Sequence, residues 1–149
     1  MTIASLSSET LHTSCVAKDG RAILISGRSG SGKSDLTLRM IDRGATLVSD
    51  DYTIVRRVHG RLLASAPAKI AGKLEVRGIG ILEFDHKDDV PVCLYVDLDR
   101  EADRLPVTDE VMVIAGIKLP VIAVNSLEAS SPIKVEVALD RLGLKPQGR

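Results

Sequence analysis

Apolar positions along the chain fall mostly into short runs, the length of strands rather than helices. Leu11 to Val16 and Arg21 to Ser26 flank Lys18-Asp19-Gly20, which predicts two strands joined by a tight turn. Between Asp35 and Arg43 the period changes. Leu36, Leu38, Met40 and Ile41 make a helix face against Arg39, Asp42 and Arg43, with Gly44 placed as the C-terminal cap. Ala45 to Ser49 then reads as a short strand ending on Asp50 and Asp51. Beyond it the chain is β-rich. Thr53 to Val58 and Arg61 to Ala64 flank His59-Gly60 as a second hairpin. Val92 to Leu98 and Val111 to Ala115 are expected as buried strands, and Leu119 to Val124 as a further strand broken by Pro120. Ile133 to Leu142 carries apolar residues at helical spacing behind the start signal Ser131-Pro132. Residues 1 to 9, rich in Ser and Thr, are expected as a loose arm, Leu98 to Pro106 as a surface loop and residues 143 to 149 as a tail. The fold class is α/β, in one domain over residues 1–149.

The total of 149 residues suits one such domain and leaves little room for a second. Twenty basic and twenty acidic side chains cancel, so no net charge draws the chain to nucleic acid or to an anionic membrane. Phe84, Tyr52 and Tyr95 are the only aromatic rings of those types, too few for a base-stacking platform. Neither nucleic acid nor membrane is therefore expected as a partner. Cys15 and Cys93 form no metal or redox motif, and Cys93 reads as a buried reduced thiol. The first ten residues lack the basic and apolar regions of a signal peptide, and no apolar run reaches transmembrane length. A cytoplasmic location is the default.

One segment carries specific chemistry. Gly27-Arg28-Ser29-Gly30-Ser31-Gly32-Lys33-Ser34 matches G-x-x-x-x-G-K-[ST] in full, between an apolar strand and an amphipathic helix. Glycines let the backbone turn so that successive N–H groups point at phosphate oxygens, and the helix start adds the positive end of its dipole. The Lys33 ammonium can reach the outer phosphates and the Ser34 hydroxyl can ligate Mg²⁺. Arg28, inside the loop, either touches phosphate or projects to solvent. The segment predicts binding of a nucleoside triphosphate with Mg²⁺. A Gly/Ser-rich loop that merely ends in Lys-Ser is the bland alternative, and the correct strand and helix flanks argue against it.

Asp50 and Asp51 close the strand that follows the P-loop helix. Neighbours on a regular strand face opposite ways, but a turn at the strand end can bring both carboxylates to one site. One could then hold Mg²⁺ while the other accepts a proton from an attacking hydroxyl. A helix-cap or Asx-turn role is the alternative. Glu75 is a third acidic candidate, within Lys73-Leu74-Glu75-Val76-Arg77-Gly78-Ile79-Gly80, although a solvated strand face explains Glu75 and Arg77 as well. The closely spaced Gly78 and Gly80 suggest a tight backbone approach. His12, His59 and His86 read individually as surface or turn residues.

Together these pieces resemble the catalytic domain of HPr kinase/phosphorylase. The P-loop, Leu47-Val48-Ser49-Asp50-Asp51 one helix later, and the segment Leu74 to Ile81 follow that family's pattern in order. His12 before the P-loop and Asp103-Arg104-Leu105 late in the chain match as well. The resemblance runs from about Leu11 to Leu142. It implies a fold like the nucleotide-binding core of phosphoenolpyruvate carboxykinase and an ATP-dependent kinase acting on a serine of HPr, the phosphocarrier protein of the sugar phosphotransferase system. It further implies a hexameric homo-oligomer. By position, Asp50 would be the general base, assisted by His12, with Lys33 on the β-phosphate and Ser34, Asp51 and Glu75 around Mg²⁺.

Two departures accompany the resemblance. Family members commonly carry a separate N-terminal domain, and this chain begins almost at the catalytic one, so a short form is expected. Where the family has a Pro-Val-x-Pro-Gly-Arg loop implicated in phosphate release, residues 123 to 132 read Ala-Val-Asn-Ser-Leu-Glu-Ala-Ser-Ser-Pro. The arginine is missing and Glu128 lies nearby, which predicts weakened phosphorolysis. Two other functions compete. A small-molecule kinase would need an arginine-bearing lid, and none is visible. A non-catalytic ATP sensor could dispense with the base that the acidic pair supplies.

Overall fold

The chain was analysed as a computed structural model, which describes residues 7–105 and 110–147. In chain order these form β1 (Ser8–Leu11), β2 (Thr13–Lys18), β3 (Arg21–Ser26), α1 (Lys33–Asp42), β4 (Thr46–Ser49), β5 (Thr53–Val58) and β6 (Arg61–Ser65). There follow β7 (Lys73–Val76), β8 (Gly80–Glu83), β9 (Val90–Asp97), β10 (Val111–Ile114), β11 (Ile117–Ala123) and α2 (Ser131–Leu142). A short 3₁₀ turn, Ala68–Ile70, precedes β7.

The main sheet runs β1-β5-β6-β9-β3-β2-β4 and forks at β9. On one side β9 pairs in parallel with β3. On the other its start meets β6, antiparallel at Pro91 and Val90, and its end meets β11, parallel at Tyr95 to Asp97. β2 is antiparallel to both β3 and β4, so β4 runs in the direction of β3. Hence β3, β4, β9 and β11 all point the same way. Their C-terminal ends and the start of β2 reach one edge of the sheet, where open α/β sheets bind their ligands.

Strand alternation sorts the core into two faces. Ile23, Ile25, Leu94 and Val96 pack beneath the apolar stripes of α1 (Leu36, Met40) and α2 (Val135, Leu139). Ala22, Leu24, Val90 and Val92 face the other way, onto Val55, Leu62, Ala64, Ile114 and Leu119. Because β3 and β9 are buried on both faces, they read as continuous apolar runs. Burial pushes the Cys93 thiol up to about 11 and raises Cys15 further, so both are held as unreactive thiols.

The two predicted hairpins form, with left-handed residues at both turn positions: Asp19 (φ 52°) and Gly20 (φ 76°), then His59 (φ 50°) and Gly60 (φ 77°). Gly44, at φ 104°, ends α1 as expected, its N–H on the Ile41 carbonyl at 2.9 Å. Other expectations are corrected. Ser8 and Glu9, placed in the loose arm, pair with Arg56 and Val55, while residues 1–6 of that arm lie outside the described residues. Val111–Ala115 forms a strand as read, but an exposed one: β10 pairs with β11 alone, and only Ile114 of its four residues is buried. Apolar content alone could not tell an edge from a core strand. β11 runs through Pro120, which stands where the β10 ladder ends and the β9 ladder begins, so its missing N–H interrupts neither. Gly78 and Gly80 form the β7–β8 turn, with open space beside each, in place of the close approach expected. The 143–147 part of the tail docks on the sheet through Leu144 N–H to the Cys93 carbonyl at 2.9 Å and Arg21 to the Leu144 carbonyl at 3.3 Å. The described part of the 98–106 loop is a surface segment, as read.

Across the helix layer, Arg43, at the C-terminal cap of α1, donates two hydrogen bonds to Glu136 of α2, at 3.1 and 2.8 Å. That hydrogen bonding holds the Glu136 carboxyl below the usual range, against the opposing effect of burial. The folded chain therefore binds this proton less readily than the unfolded one. The stabilisation is complete above the ordinary carboxyl pKa and is lost as pH falls through the lowered value. Glu136→Gln should lower the denaturation midpoint at neutral pH, and its gap to the parent should close below about pH 4. Chemical denaturation over a pH series measures this, and a gap independent of pH would disprove it.

Candidate functional site

The P-loop leaves β3 at Ser26 and enters α1 at Lys33. Gly32 caps the helix in a left-handed conformation, φ 99°, with no side-chain cap, so the first-turn N–H groups are left for a ligand. The loop is packed so tightly that a Cβ on Gly27 would strike the Ser31 hydroxyl, and one on Gly32 would stand 2.5 Å from Ser126 Oγ. Gly30 faces open space. The Lys33 side chain is buried and curls along the loop, donating to the Gly27 carbonyl at 2.6 Å and the Arg28 carbonyl at 3.1 Å. The Arg28 side chain projects to solvent, pairing with Asp99 at 3.4 Å, while its own N–H donates to the Asp99 carboxylate at 3.0 and 3.1 Å.

Asp50 and Asp51 do share this edge, by a strand-end turn of the kind the sequence left open. Asp51 adopts φ 69°, and Tyr52 N–H closes back on the Asp50 carbonyl at 2.8 Å, a three-residue γ-turn that undoes the alternation of β4. The two carboxylates nevertheless meet different neighbours. Asp50 is buried and accepts from Ser34 Oγ at 2.7 Å, Ser14 Oγ at 3.0 Å and the Glu75 N–H at 3.3 Å. Asp51 is half exposed. Its Oδ1 lies 2.9 Å from His12 Nε2 and 4.0 Å from Lys33 Nζ. The His12 ring stacks on Tyr52 with centroids 5.2 Å apart.

This arrangement differs from the assignment carried over by position. It is Asp50, not Asp51, that joins Ser34, and Asp51, not Asp50, that joins His12. Glu75 reaches the site through its backbone, with its side chain on the exposed face of β7. Among the described residues no three His, Cys, Asp or Glu side chains converge as a metal cluster. The donor set nonetheless fits Mg²⁺ carried in with a polyphosphate. One or two protein oxygens, here Ser34 Oγ and an Asp50 oxygen, suffice when phosphate and water supply the rest. The phosphate cradle fits too, with its glycine turns, a helix start, the Lys33 ammonium and a buried Ser31 hydroxyl that has no partner among the described residues.

Three comparisons bear on the site. The family model described as the HPr Serine kinase C-terminal domain matches residues 4–148. The chain belongs to the HPr serine kinase family. The HPr kinase/phosphorylase of Clostridium beijerinckii is 34% identical over 121 residues, 73% of this chain and 40% of that protein. That of Clostridium tetani is 46% identical over 73 residues, 49% of this chain and 24% of that protein. The chain thus spans less than half the length of the curated relatives it matches. The structure of the Hpr(Ser) kinase/phosphatase from Coxiella burnetii superposes with a TM-score of 0.75 at 26% identity, covering 89% of this chain and 88% of that one. The α/β fold expected from the resemblance is therefore that of the HPr kinases.

Four residues at this edge went unread in the sequence. Ser14 donates to Asp50 and accepts from the Asp51 N–H at 3.0 Å. Asp99 holds the entrance of the P-loop, Ser126 reaches its far end and Arg39 holds the Ser126 carbonyl. Ser14 lies two positions after His12, and strand periodicity could have flagged it; the others become neighbours only through the sheet order. Among the described residues no helix is long and apolar enough to cross a membrane. A cavity of about 720 Å³ lies between β11 and α2, away from this chemistry, walled by Val111, Ile122, Ala138 and Leu142 among others.

The two inner glycines separate two physical requirements. Gly30→Ala meets only backbone strain at φ 84°, whereas Gly32→Ala meets strain at φ 99° and the Ser126 hydroxyl. Gly30→Ala should cost about 1 kcal/mol of stability and Gly32→Ala roughly 2–3 kcal/mol. Urea unfolding of both variants checks the order, which must not reverse.

Proposed function

We propose that this chain is an ATP- and Mg²⁺-dependent protein kinase that phosphorylates a serine of HPr, working in the cytoplasm. The observation that carries the reading is the division of labour between the adjacent carboxylates, one held against the P-loop serine and the other against a histidine at the solvent boundary. Lys33 and the P-loop amides bind the phosphates. Ser34 and Asp50 hold the metal, which when bound supplies charge neutralisation at the phosphates. Asp50 already accepts three hydrogen bonds, so taking up a proton would cost it partners. Asp51 has one carboxylate edge on His12 and the other toward solvent, where a protein hydroxyl can approach. We therefore assign the general base to Asp51, oriented by His12, and the metal-side role to Asp50. Glu75 contributes by orienting Asp50 through its N–H.

The reverse reaction is weakened in this reading. The 123–132 segment has no arginine, and the guanidinium nearest to it, Arg39, is engaged by the carbonyls of Ser126 and Glu128 and by Asp35. Exposed Met112 and Val113 on β10 and Ile133 and Val137 on α2 support assembly as a homo-oligomer, a hexamer by family resemblance. Sedimentation velocity that returns the mass of one copy would remove that part of the proposal.

Labelled ATP, Mg²⁺ and purified HPr test the reaction. Asp51→Asn should lower serine phosphorylation by roughly a hundredfold or more while MgATP binding stays within about twofold. Asn tolerates the left-handed backbone, so folding should survive. Asp50→Asn should instead weaken MgATP binding, and the loss should depend on Mg²⁺. Retained transfer by Asp51→Asn would refute the assignment of the base. A parent chain that binds MgATP but never labels HPr would point to an ATP sensor. Given phospho-HPr and excess inorganic phosphate, the parent should dephosphorylate it slowly; rapid pyrophosphate formation would contradict the weakened reverse reaction.

A further inference from the structure

Beyond the phosphate-binding motif, the segment after β11 folds over the outside of the P-loop. Its Ser126 hydroxyl is buried and donates to the Ser31 carbonyl at 2.6 Å. The Ser31 carbonyl and the Gly32 N–H belong to one trans peptide plane, so they point in opposite directions. Drawing that carbonyl outward to Ser126 turns the Gly32 N–H inward, toward the phosphate cradle. Gly32 offers no resistance of its own: it has no Cβ, and a Cβ there would fill the space that Ser126 occupies. A glycine flanked by glycine-rich sequence would otherwise sample several peptide orientations.

Ser126 is itself held. Arg39, on the second turn of α1, donates to the Ser126 carbonyl and, at 3.1 Å, to the Glu128 carbonyl, while its Nε donates to Asp35 at 3.0 Å. Asn125 closes the segment on itself. Its side chain accepts from the Leu127 N–H at 2.9 Å, and its carbonyl accepts from the Glu128 N–H at 3.2 Å and the Ser131 hydroxyl. The guanidinium thus ties the loop to the helix whose N-terminus is the end of the cradle.

We propose that Ser126, anchored by Arg39, is a positioning residue that sets the Gly32 peptide for phosphate and thereby determines affinity for ATP. The inference rests on the kinase reading above and extends it to residues outside the motif. Ser126 touches no reacting atom. Its effect passes through a peptide plane that grips reactant and transition state alike, so its loss raises KM for ATP and leaves kcat nearly unchanged.

The test uses the full chain, with calorimetric titration of MgATP and steady-state transfer to HPr. Ser126→Ala should raise both Kd and KM for MgATP roughly three- to tenfold, with kcat and KM for HPr within about twofold of the parent. Arg39→Ala should act in the same direction. The double variant should be no weaker than the worse single one, because both changes release the same peptide. Should Ser126→Ala not fold, Ser126→Cys keeps the volume with a poorer donor and carries the same expectation. A folded Ser126 variant that binds MgATP like the parent overturns the proposal, as does a double variant whose losses multiply. If the parent itself gives no heat with MgATP, the kinase reading fails first, and that result is distinct from either.

Discussion

Four strands that point the same way make the rest of this molecule possible. β2 turns back antiparallel between β3 and β4, and β9 and β11 run parallel to β3, so four strand ends discharge their loops at one edge of the sheet. The P-loop follows β3, the acidic pair β4, Asp99 β9 and Ser126 β11. None of these segments could assemble the site alone. The apolar core on both faces of β3 and β9 fixes their register, and a slip by one residue would exchange the two faces and misplace every loop at the edge.

Within that edge, identical side chains meet unlike surroundings. Asp50 continues the inward face of β4 and finds hydroxyls and an amide in a buried pocket. Asp51 turns the other way through its left-handed backbone and finds an imidazole in reach of water. A carboxylate that stays put is suited to a metal, and one that water can reach is suited to a proton. The same difference appears in the P-loop, where Lys33 is buried along the loop and Arg28 is left to solvent.

Local chemistry was readable in the sequence, and proximity was not. The P-loop, both hairpins, both helices and the Gly44 cap announced themselves because each rests on residues adjacent in the chain. The exposure of Val111 to Val113 depended on what lies across the sheet, which apolar content does not encode. The surroundings of Asp50 and Asp51 resisted for a related reason: both are aspartates, and the backbone turn at Asp51 separates the one that meets Ser34 from the one that meets His12. Ser126 stood in a segment noticed for a missing arginine, while the residue that reaches the P-loop there carries no charge at all.

The γ-turn at Asp51 has a consequence for anyone redesigning this protein. Left-handed backbone is open to glycine, to asparagine and, less readily, to aspartate, but it disfavours side chains with a longer or branched stem. An extra methylene, as in Asp51→Glu, would therefore meet a conformational barrier before any question of reach arose. The choice of amino acid at this point is narrowed by sterics as well as by acidity, and directed evolution would have to reshape the strand ending before it could exchange the side chain.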